Sequence, residues 1–325
     1  MRILVTGSAG HLGEALMRVL PERGHEVLGL DIVASPHTTV VGSIADRGTV
    51  RQYVAGVDAV VHCATLHKPH VESHTRADFV DTNVAGTLYL LEEAVAANVG
   101  RFVFTSTTSA FGRALTPAPG EPAAWITEDV APVPRNIYGT TKVAAENLCE
   151  LIARDHGLPC LILRTSRFFP EPDDRDDVRS AYEDLNIKVN ELLYRRVDVE
   201  DIVTAVERAL ERAPAIGFGR YIISATTPFT PGDMGEIRTG LPSVVRRLYP
   251  DFEDIYSARG WRMFEAIERT YVNGRARSEL GWSPRYDFRF ALDRLANSED
   301  PRSKLARSIG AKGYHDVSTG VYTVR

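Results

Sequence analysis

The chain has 325 residues, of which 44% are hydrophobic and 25% are charged, and its formal net charge at pH 7 is −5. This composition is typical of a soluble globular protein with one large domain or two domains that share a cleft. The negative charge argues against a general nucleic-acid binder, which would show a basic face. No segment approaches the roughly 18 consecutive apolar residues that a membrane-spanning helix requires.

Cysteine usage and the N-terminus both bear on the cellular compartment. The three cysteines cannot all pair, and two of them lie in apolar, strand-like segments, so we expect buried and reduced thiols. The N-terminus leads directly into the apolar Ile3-Leu4-Val5, which leaves no room for a signal peptide. These features predict a cytoplasmic protein with no nucleic-acid or membrane partner.

The first half of the chain alternates short apolar segments with segments of helical periodicity. We predict buried strands over 3–6, 27–31, 59–63, 102–105 and 160–163, and helices over 12–23, 46–54, 79–97 and 138–155. Short buried strands that alternate with helices indicate an α/β fold with a doubly wound parallel sheet of the Rossmann type.

The pattern becomes irregular after residue 164. Further helices are predicted over 201–212, 243–249 and 261–269, a strand over 220–224, and a solvated loop over the acidic run 171–177. We therefore expect residues 1–165 to form a dinucleotide-binding domain to which later segments return. Residues 166–296 would form a smaller C-terminal α/β substrate-binding region, and residues 297–325 a frayed tail or an arm that docks on a neighbour.

Three glycines follow the first predicted strand and lead into the first predicted helix. Gly7, Gly10 and Gly13 allow a tight turn, a close approach of backbone N–H groups to a pyrophosphate, and close packing of helix on strand. Asp31 ends the second strand, where a carboxylate accepts hydrogen bonds from ribose hydroxyls and repels a 2′-phosphate. No Arg or Lys follows it directly, so NAD is favoured over NADP.

Tyr138 and Lys142 lie four residues apart in a predicted helix and therefore project from the same face. A free tyrosine has a pKa near 10, and a neighbouring ammonium group would lower that pKa toward the working range of a base. A Ser/Thr cluster over 105–109 ends the fourth predicted strand, and one of its hydroxyls would bind the substrate oxygen. Together these residues predict hydride transfer at a carbinol carbon.

In combination these motifs are specific: the chain resembles the extended short-chain dehydrogenase/reductases, in particular the NAD-dependent epimerase/dehydratase group. The resemblance covers roughly residues 1–295. The motifs that carry it are TGSAGHLG at 6–13, Asp31, VDAVVHCA at 57–64, NVAGT at 83–87, the Ser/Thr cluster, YGTTK at 138–142, VDVED at 197–201 and LGWSP at 280–284.

The resemblance implies roles for individual residues. The catalytic hydroxyl of the family lies five residues before the glycine of a YG-like pair, here Gly112, which selects Thr107, with Ser106 as the neighbouring candidate. The catalytic residues are thus expected to be Thr107, Tyr138 and Lys142. The resemblance also implies two sets of binding residues, which include the three catalytic ones. Cofactor contacts are expected from Gly7, Ala9, Gly10, His11, Leu12, Gly13, Asp31, Ser43, Ile44, Cys63, Ala64, Asn83, Thr105, Tyr138 and Lys142; substrate contacts are expected from His67, Ser106, Thr107, Ser109, Arg167 and Arg195.

Three positions depart from the family pattern. Ser43 replaces an aspartate near the adenine, and Phe111 replaces the tyrosine of the YG pair. Arg167 stands where many sugar-nucleotide enzymes of the group have an asparagine that helps to hold the substrate diphosphate. An arginine there would grip an anion bidentately, or recognise a carboxylate on a smaller substrate. Arg195 and Arg196 would either face the cleft or form surface ion pairs with Asp198 or Glu200.

The resemblance predicts an NAD-dependent enzyme that acts on the hydroxyl or keto carbon of a sugar or nucleotide-sugar-like substrate. The alternative is a dehydrogenase of a free sugar, sugar acid or other small alcohol that releases NADH, and the rival from another class is a non-catalytic NAD sensor. A dehydratase is less favoured, because no acidic pair follows Thr107. No metal is expected, and a homodimer through the helix of Tyr138 is implied by the resemblance.

Overall fold

The structure is a computed structural model that describes residues 1–312, and it divides the chain into two compact units. The first unit comprises Met1–Gly112, Pro132–Thr165 and Ile202–Tyr221. The second comprises Arg113–Ala131, Ser166–Asp201 and the chain from Ile222 onward. One segment of the first unit thus ends at Thr165, and residues 113–131 fall in the second unit.

One sheet has seven strands in the order β3-β2-β1-β4-β5-β7-β8; six of them and most of β8 lie in the first unit, and a pair of short strands, β6 and β9, lies in the second unit. The nine strands are β1 (Arg2–Thr6), β2 (Glu26–Asp31), β3 (Val40–Val41), β4 (Ala59–His62), β5 (Arg101–Thr107), β6 (Ala124–Ile126), β7 (Cys160–Thr165), β8 (Phe218–Ile223) and β9 (Arg269–Tyr271). Strand β1 pairs in parallel with β2 and with β4, and β5 pairs in parallel with β4 and with β7. The order reverses between β1 and β4, so the predicted doubly wound parallel sheet is confirmed.

Fourteen α-helices are present in residues 1–312. They are α1 (His11–Glu22), α2 (Arg47–Val54), α3 (Arg76–Val80), α4 (Gly86–Ala96), α5 (Ile137–His156), α6 (Asp176–Ala181), α7 (Asp184–Glu191), α8 (Val199–Ile216), α9 (Met234–Ile237), α10 (Leu241–Leu248), α11 (Phe252–Ser257), α12 (Gly274–Leu280), α13 (Phe288–Ala296) and α14 (Lys304–Ile309). A π-helical turn, Asp81–Ala85, separates α3 from α4, where the sequence predicted one continuous helix. None of these helices is long and apolar enough to cross a membrane.

Helix α5 has clear start and stop signals in its sequence. The side chain of Asn136 accepts a hydrogen bond from the backbone N–H of Gly139 over 3.0 Å and caps the N-terminus. Gly157 ends the helix in the left-handed region, with φ of 69°, which a residue without Cβ adopts at little cost. Tyr138 and Lys142 are both buried on this helix.

Each unit has its own apolar core. In the first unit, the strands bury Leu4, Val60, Phe102, Phe104 and Ile162 against the flanking helices. Apolar side chains point to both faces of these parallel strands, as expected for a sheet covered by helices on both sides. In the second unit the core includes the fully buried residues Leu193, Ile237, Leu241, Val244 and Phe288.

Two predictions for the second unit were wrong. Residues 261–268 are not helical, because their backbone N–H groups bond to distant partners: the N–H of Ile267 donates to the carbonyl of Ile237 over 3.0 Å. The acidic run 171–177 is not simply solvated, because Glu171 and Asp173 are buried. Hydrogen bonds that Asp173 accepts from the side chains of Arg167 and Arg195 offset the cost of burying its charge.

The C-terminal segment is ordered over its first part. Ser303 caps α14, and its backbone N–H donates to the carboxylate of Asp198 over 3.0 Å. Residues 297–312 therefore do not form a frayed tail, because helix α14 is attached to the second unit of the same chain. The remainder of the predicted tail, residues 313–325, lies outside the described residues.

Candidate active site

The glycine-rich loop after β1 has the backbone geometry that the sequence predicted. Gly7 has φ of +76°, and a Cβ atom there would lie 2.7 Å from the backbone nitrogen of Ala64. A Cβ atom on Gly13 would overlap the carbonyl oxygen of Gly7, so both positions require glycine. Gly10 provides no capping side chain for the first turn of α1. The N–H groups of this turn can therefore bind an anion such as a pyrophosphate.

Asp31 lies at the end of β2 beside this loop. One carboxylate oxygen accepts a hydrogen bond from the backbone N–H of Ala9 and the other from the N–H of Val33, each over 2.9 Å. A carboxylate offers about four acceptor positions, so two of them suffice to orient the group and others can accept ribose hydroxyls. The residues of this corner therefore fit the adenosine half of a dinucleotide.

The other predicted adenine contacts have structural roles of their own. The Ser43 hydroxyl accepts a hydrogen bond from the N–H of Ala45, and Ile44 is only 4% exposed. Ile44 packs so closely that a Cβ atom on Gly86 would lie 2.9 Å from its side chain. His11 and Leu12 are likewise buried at the start of α1.

His62, a residue that the sequence analysis did not assign to the site, holds the loop after β4 in place. Its imidazole lies 2.7 Å from the hydroxyl of Thr6 and 3.0 Å from that of Thr87. The Thr6 hydroxyl in turn accepts hydrogen bonds from the backbone N–H groups of Cys63 and Ala64. Burial, with the nearby charge of Lys142, lowers the pKa of His62 well below its ordinary value, so the ring is neutral.

Asn83 connects two parts of the first unit from the π-helical turn. Its Oδ1 accepts from the N–H of Leu66, and its Nδ2 donates to the carbonyl of Leu66 and to the hydroxyl of Thr141. Thr141 lies between Tyr138 and Lys142 on α5. Asn83 therefore fastens the loop after β4 to the helix that carries the predicted catalytic pair.

The structure brings Thr107, Tyr138 and Lys142 together between β5 and α5. The Lys142 ammonium donates to the carbonyl of Thr105 over 2.6 Å and lies 4.0 Å from the centre of the Phe104 ring. The Thr107 hydroxyl lies near the Tyr138 phenol and acts to lower its pKa. The Thr107 hydroxyl also accepts from the N–H of Ser109.

Burial controls the ionisation of both predicted catalytic groups. It raises the pKa of Tyr138 to about 12, against the smaller effect of the Thr107 hydroxyl. It lowers the pKa of Lys142 to about 8, against the opposing effect of the Glu146 carboxylate. The sequence predicted a lowered pKa for Tyr138. In the protein alone the shift has the other sign, because loss of hydration disfavours the phenolate.

Ser106 does not face the same way as Thr107. Successive residues of a strand point to opposite faces, and the Ser106 hydroxyl donates to the buried carboxylate of Glu146 over 2.5 Å. Ser106 is 2% exposed, so its predicted role as a substrate contact is corrected to a structural one. The geometry favours Thr107 as the hydroxyl beside Tyr138.

In the second unit, the predicted substrate-binding arginines belong to a compact ionic cluster. The Arg167 guanidinium lies 2.6 Å from the carboxylate of Asp173 and 3.5 Å from that of Glu191. Arg195 lies 2.7 Å from Glu191 and 3.1 Å from Asp173, and Arg196 lies 2.7 Å from Glu191. Burial acts to raise the pKa of Glu191, but the three guanidinium groups outweigh it and hold that pKa at about 2.

Arg195 and Arg196 do not form the surface ion pairs with Asp198 or Glu200 that the sequence analysis considered. Their partners are Asp173 and Glu191, because helix α7 brings Glu191 within one turn of the arginines, and the acidic run supplies Asp173. The guanidinium groups of Arg167 and Arg195 are therefore already bonded to internal carboxylates, whereas the sequence placed them as anion receptors.

The histidines after β4 pack against one another. The backbone N–H of His67 donates to the Nδ1 atom of His70, and the two rings lie 4.7 Å apart. In residues 1–312, no group of three or more His, Cys, Asp or Glu side chains is arranged to hold a metal ion. The substrate contacts predicted for His67 and Ser109 stay predictions.

Comparison with known proteins identifies the family. Residues 3–223 match the NAD dependent epimerase/dehydratase family. The chain belongs to this family. Its members use NAD, and the glycine loop and Asp31 could hold its pyrophosphate and ribose. The cofactor is therefore NAD.

Individual relatives match about half of the chain. One is a 2-alkyl-3-oxoalkanoate reductase of Stenotrophomonas maltophilia, 37% identical over 175 residues, which are 50% of this chain and 50% of the relative. Another is a dTDP-glucose 4,6-dehydratase of Streptomyces niveus, 34% identical over 194 residues, which are 52% of this chain and 55% of the relative. The chain thus spans about half the length of the curated relatives it matches.

A solved structure resembles the fold over most of the chain. It is a short-chain dehydrogenase/reductase superfamily protein from Agrobacterium tumefaciens with bound NAD. The match has a TM-score of 0.66 and 23% sequence identity, and it covers 92% of this chain and 95% of that one. At this identity the likeness supports the epimerase/dehydratase-family fold and leaves the substrate open.

Proposed function

We propose that this family member is an NAD-dependent oxidoreductase that interconverts a hydroxyl and a keto group on a sugar or nucleotide-sugar-like substrate. The observation that carries the proposal is that the Thr107 hydroxyl lies near enough to the Tyr138 phenol to act on its pKa, one helical turn from Lys142. A phenol, an ammonium group and a second hydroxyl at one place match the needs of proton transfer at a carbinol.

Each residue has a defined part in this proposal. Tyr138 takes the proton of the substrate hydroxyl, and Thr107 donates a hydrogen bond to the substrate oxygen. Lys142 holds the nicotinamide ribose, and its charge favours the phenolate form of Tyr138. NAD, when bound, supplies the ring carbon that accepts a hydride. The phenol pKa of about 12 in the protein alone already includes the effect of Lys142, so a further positive charge beside the ring would be needed before Tyr138 acts as a base.

The same three residues could catalyse either of two overall reactions. If the ketone stays and hydride returns to its other face, the product is an epimer. If the ketone leaves, the enzyme is a dehydrogenase of a free sugar, sugar acid or other small alcohol. The second candidate is favoured by the Arg167–Asp173 ion pair, because a guanidinium that is already neutralised is a weaker receptor for a substrate diphosphate.

A substrate panel tests the proposal. The protein is incubated with NAD and with nucleotide sugars, free sugars, uronates and small secondary alcohols, and both NADH absorbance and product stereochemistry by NMR are recorded. An epimer without net NADH identifies an epimerase, and stoichiometric NADH identifies a dehydrogenase. The absence of both products across all classes, with NAD bound, would contradict the proposal and favour an NAD sensor.

We further propose a cytoplasmic homodimer, in keeping with the family resemblance. The helix α5 is the expected contact, and Leu151 is an exposed apolar residue on it. Light scattering after size exclusion at micromolar concentration tests this assembly, and a monomer there would contradict it.

A further inference from the structure

A buried ion pair lies directly behind the proposed catalytic residues. Glu146 follows Lys142 by four residues on α5, and its carboxylate is bound by two nitrogen atoms of Arg164 on β7, the shorter contact being 2.7 Å. The side chains of Glu146 and Arg164 are only 1% and 3% exposed. This pair lies within the first unit and has no assigned role.

Stability alone does not explain the pair. Removing two charges from water is expensive, and a well-packed apolar pair of similar volume is often as stable or more stable. A buried ion pair therefore calls for another explanation, and its further contacts provide one.

The contacts of the pair lie on either side of Thr107. Glu146 accepts a hydrogen bond from Ser106, the residue before it, over 2.5 Å. The Arg164 guanidinium lies 4.8 Å from the centre of the ring of Phe111, in the turn that follows Thr107. The carboxylate and the guanidinium thus fix the end of β5 and the next turn against α5, which carries Tyr138.

We propose that Glu146 and Arg164 are positioning residues for the reaction: they fix the end of β5 so that Thr107 stays beside Tyr138, and they keep a carboxylate facing Lys142. This inference rests on the proposed function of Thr107, Tyr138 and Lys142. It gives the pair a role in geometry and local charge, without contact with the substrate.

The titratable groups that face Lys142 agree with this role. On α5 they are Glu146, whose carboxylate favours the ammonium form and opposes the effect of burial, and the buried thiol of Cys149. The loop after β4 contributes the thiol of Cys63, and β4 contributes the neutral imidazole of His62. Glu146 is the carboxylate among them, so its removal lowers the pKa of Lys142 further.

Substitution of Glu146 by glutamine tests the contribution of its charge apart from that of its size. Glu146→Gln keeps the size and an acceptor for Ser106 but removes the charge. We expect kcat to fall between about tenfold and a hundredfold with little change in KM, because a small misplacement of reacting groups has effects of this size. We also expect a lower pKa of Lys142, measured by NMR of isotope-labelled lysine side chains.

Glu150→Gln is the matched control. Glu150 lies one turn further along the same helix, and its side chain is 45% exposed. Its partner Arg220 also lies 3.5 Å from the Glu146 carboxylate, a contact that Glu150→Gln leaves in place. The control should keep the kcat and the Lys142 pKa of the parent protein. A Glu146→Gln protein that also keeps both values would overturn the proposal.

A double variant covers the case in which the single variant does not fold. Glu146→Leu combined with Arg164→Met replaces the ion pair by apolar side chains and leaves no buried charge unpaired. We expect it to fold and to bind NAD, with reduced kcat; unreduced kcat would overturn the proposal. The lysine NMR measurement needs no substrate. A lowered Lys142 pKa in a protein that turns over no substrate would therefore count against the proposed function and not against the electrostatic role of Glu146.

Discussion

The Nδ2 atom of Asn83 donates a hydrogen bond to the hydroxyl of Thr141 over 3.0 Å, and this contact joins the π-helical turn to the helix of Tyr138 and Lys142. Asn83 also binds both backbone polar groups of Leu66. A π-helical turn widens the backbone by one residue, and such turns are frequent at functional sites. Here the turn carries the side chain that connects the loop after β4 to α5.

Substitution of Asn83 by alanine removes these bonds and leaves backbone groups of Leu66 without their partner. We expect the free energy of unfolding to fall by about 1–3 kcal/mol. NAD affinity should fall as well, because the loop after β4 loses its attachment. Thermal unfolding and calorimetric titration with NAD measure the two effects. Asp81→Ala in the same turn changes an exposed side chain and should have neither effect, and equal losses in both variants would speak against a specific role for Asn83.

Asp31→Ala should weaken NAD binding by about tenfold to a hundredfold, because hydrogen bonds to a charged group contribute about 1.5–3 kcal/mol. Part of this loss comes from the glycine loop, whose Ala9 N–H is bonded to the same carboxylate. Asp31→Asn, which keeps an acceptor without the charge, should lose less affinity for NAD and gain relative affinity for NADP. Fluorescence titration of the parent protein and both variants with both dinucleotides gives six dissociation constants, and unchanged NAD affinity in Asp31→Ala would exclude this role.

Gly13→Ala should destabilise the first unit by about 1–3 kcal/mol, because the new methyl group overlaps the carbonyl oxygen of Gly7 and the backbone must shift. The same shift disturbs the loop, so NAD affinity should also fall. Gly235→Ala is the matched control, since a Cβ atom there meets nothing within 4 Å. The control should unfold at the parent temperature or slightly above it. A Gly13→Ala protein with parent stability would show that the loop accommodates a side chain.

Tyr138→Phe separates an enzyme from an NAD sensor. Loss of the phenol should reduce turnover by about 10²–10⁴-fold, the usual contribution of a positioned acid or base. NAD binding should remain, because the ring and the glycine loop are unchanged. Tyr53→Phe, which alters a tyrosine on α2, should retain full turnover. Turnover and NAD affinity are measured on the substrate that the panel identifies, and full activity of Tyr138→Phe would remove this residue from the mechanism.

Lys142 should titrate at about pH 8 in the folded protein, below its ordinary value of 10.5. The chain has five lysines, so a labelled-lysine NMR titration can follow each one. Between these two pH values the unfolded chain binds more protons than the folded chain, so the contribution of Lys142 to stability rises with pH across this interval. Below about pH 8 the contribution stays at its lowest value, because both states are protonated.

Lys142→Met tests whether the rise in stability with pH comes from the lowered pKa of Lys142. Methionine has a similar length and no charge, so the variant should lack the rise in stability between about pH 8 and 10.5 that the parent protein shows. The difference between the two unfolding curves at each pH isolates Lys142 from the other titrating groups. Parallel curves would mean that Lys142 has an ordinary pKa.

The site could be predicted from sequence where its chemistry depends on local spacing. The glycine loop, Asp31 and the Tyr138–Lys142 pair follow from the turn, strand and helix in which they lie, and a helix brings positions i and i+4 together in any protein. Ser106 and Thr107 were harder to separate, because adjacent residues differ only in the strand face that they occupy. The tertiary structure separated them through the contact between Ser106 and Glu146.

The sequence by itself determined the alternation of strands and helices in most of the first unit, the doubly wound sheet and the dinucleotide loop, because these depend on periodicity and on residues close together in the chain. Only the tertiary structure decided how charged groups pair. Glu146 meets Arg164, and Arg167 meets Asp173 and Glu191, because different elements bring them together, and burial then raises the pKa of Tyr138 and lowers that of Lys142. Ion pairing and hydration depend on what surrounds a residue in space, and this information is not contained in local sequence spacing.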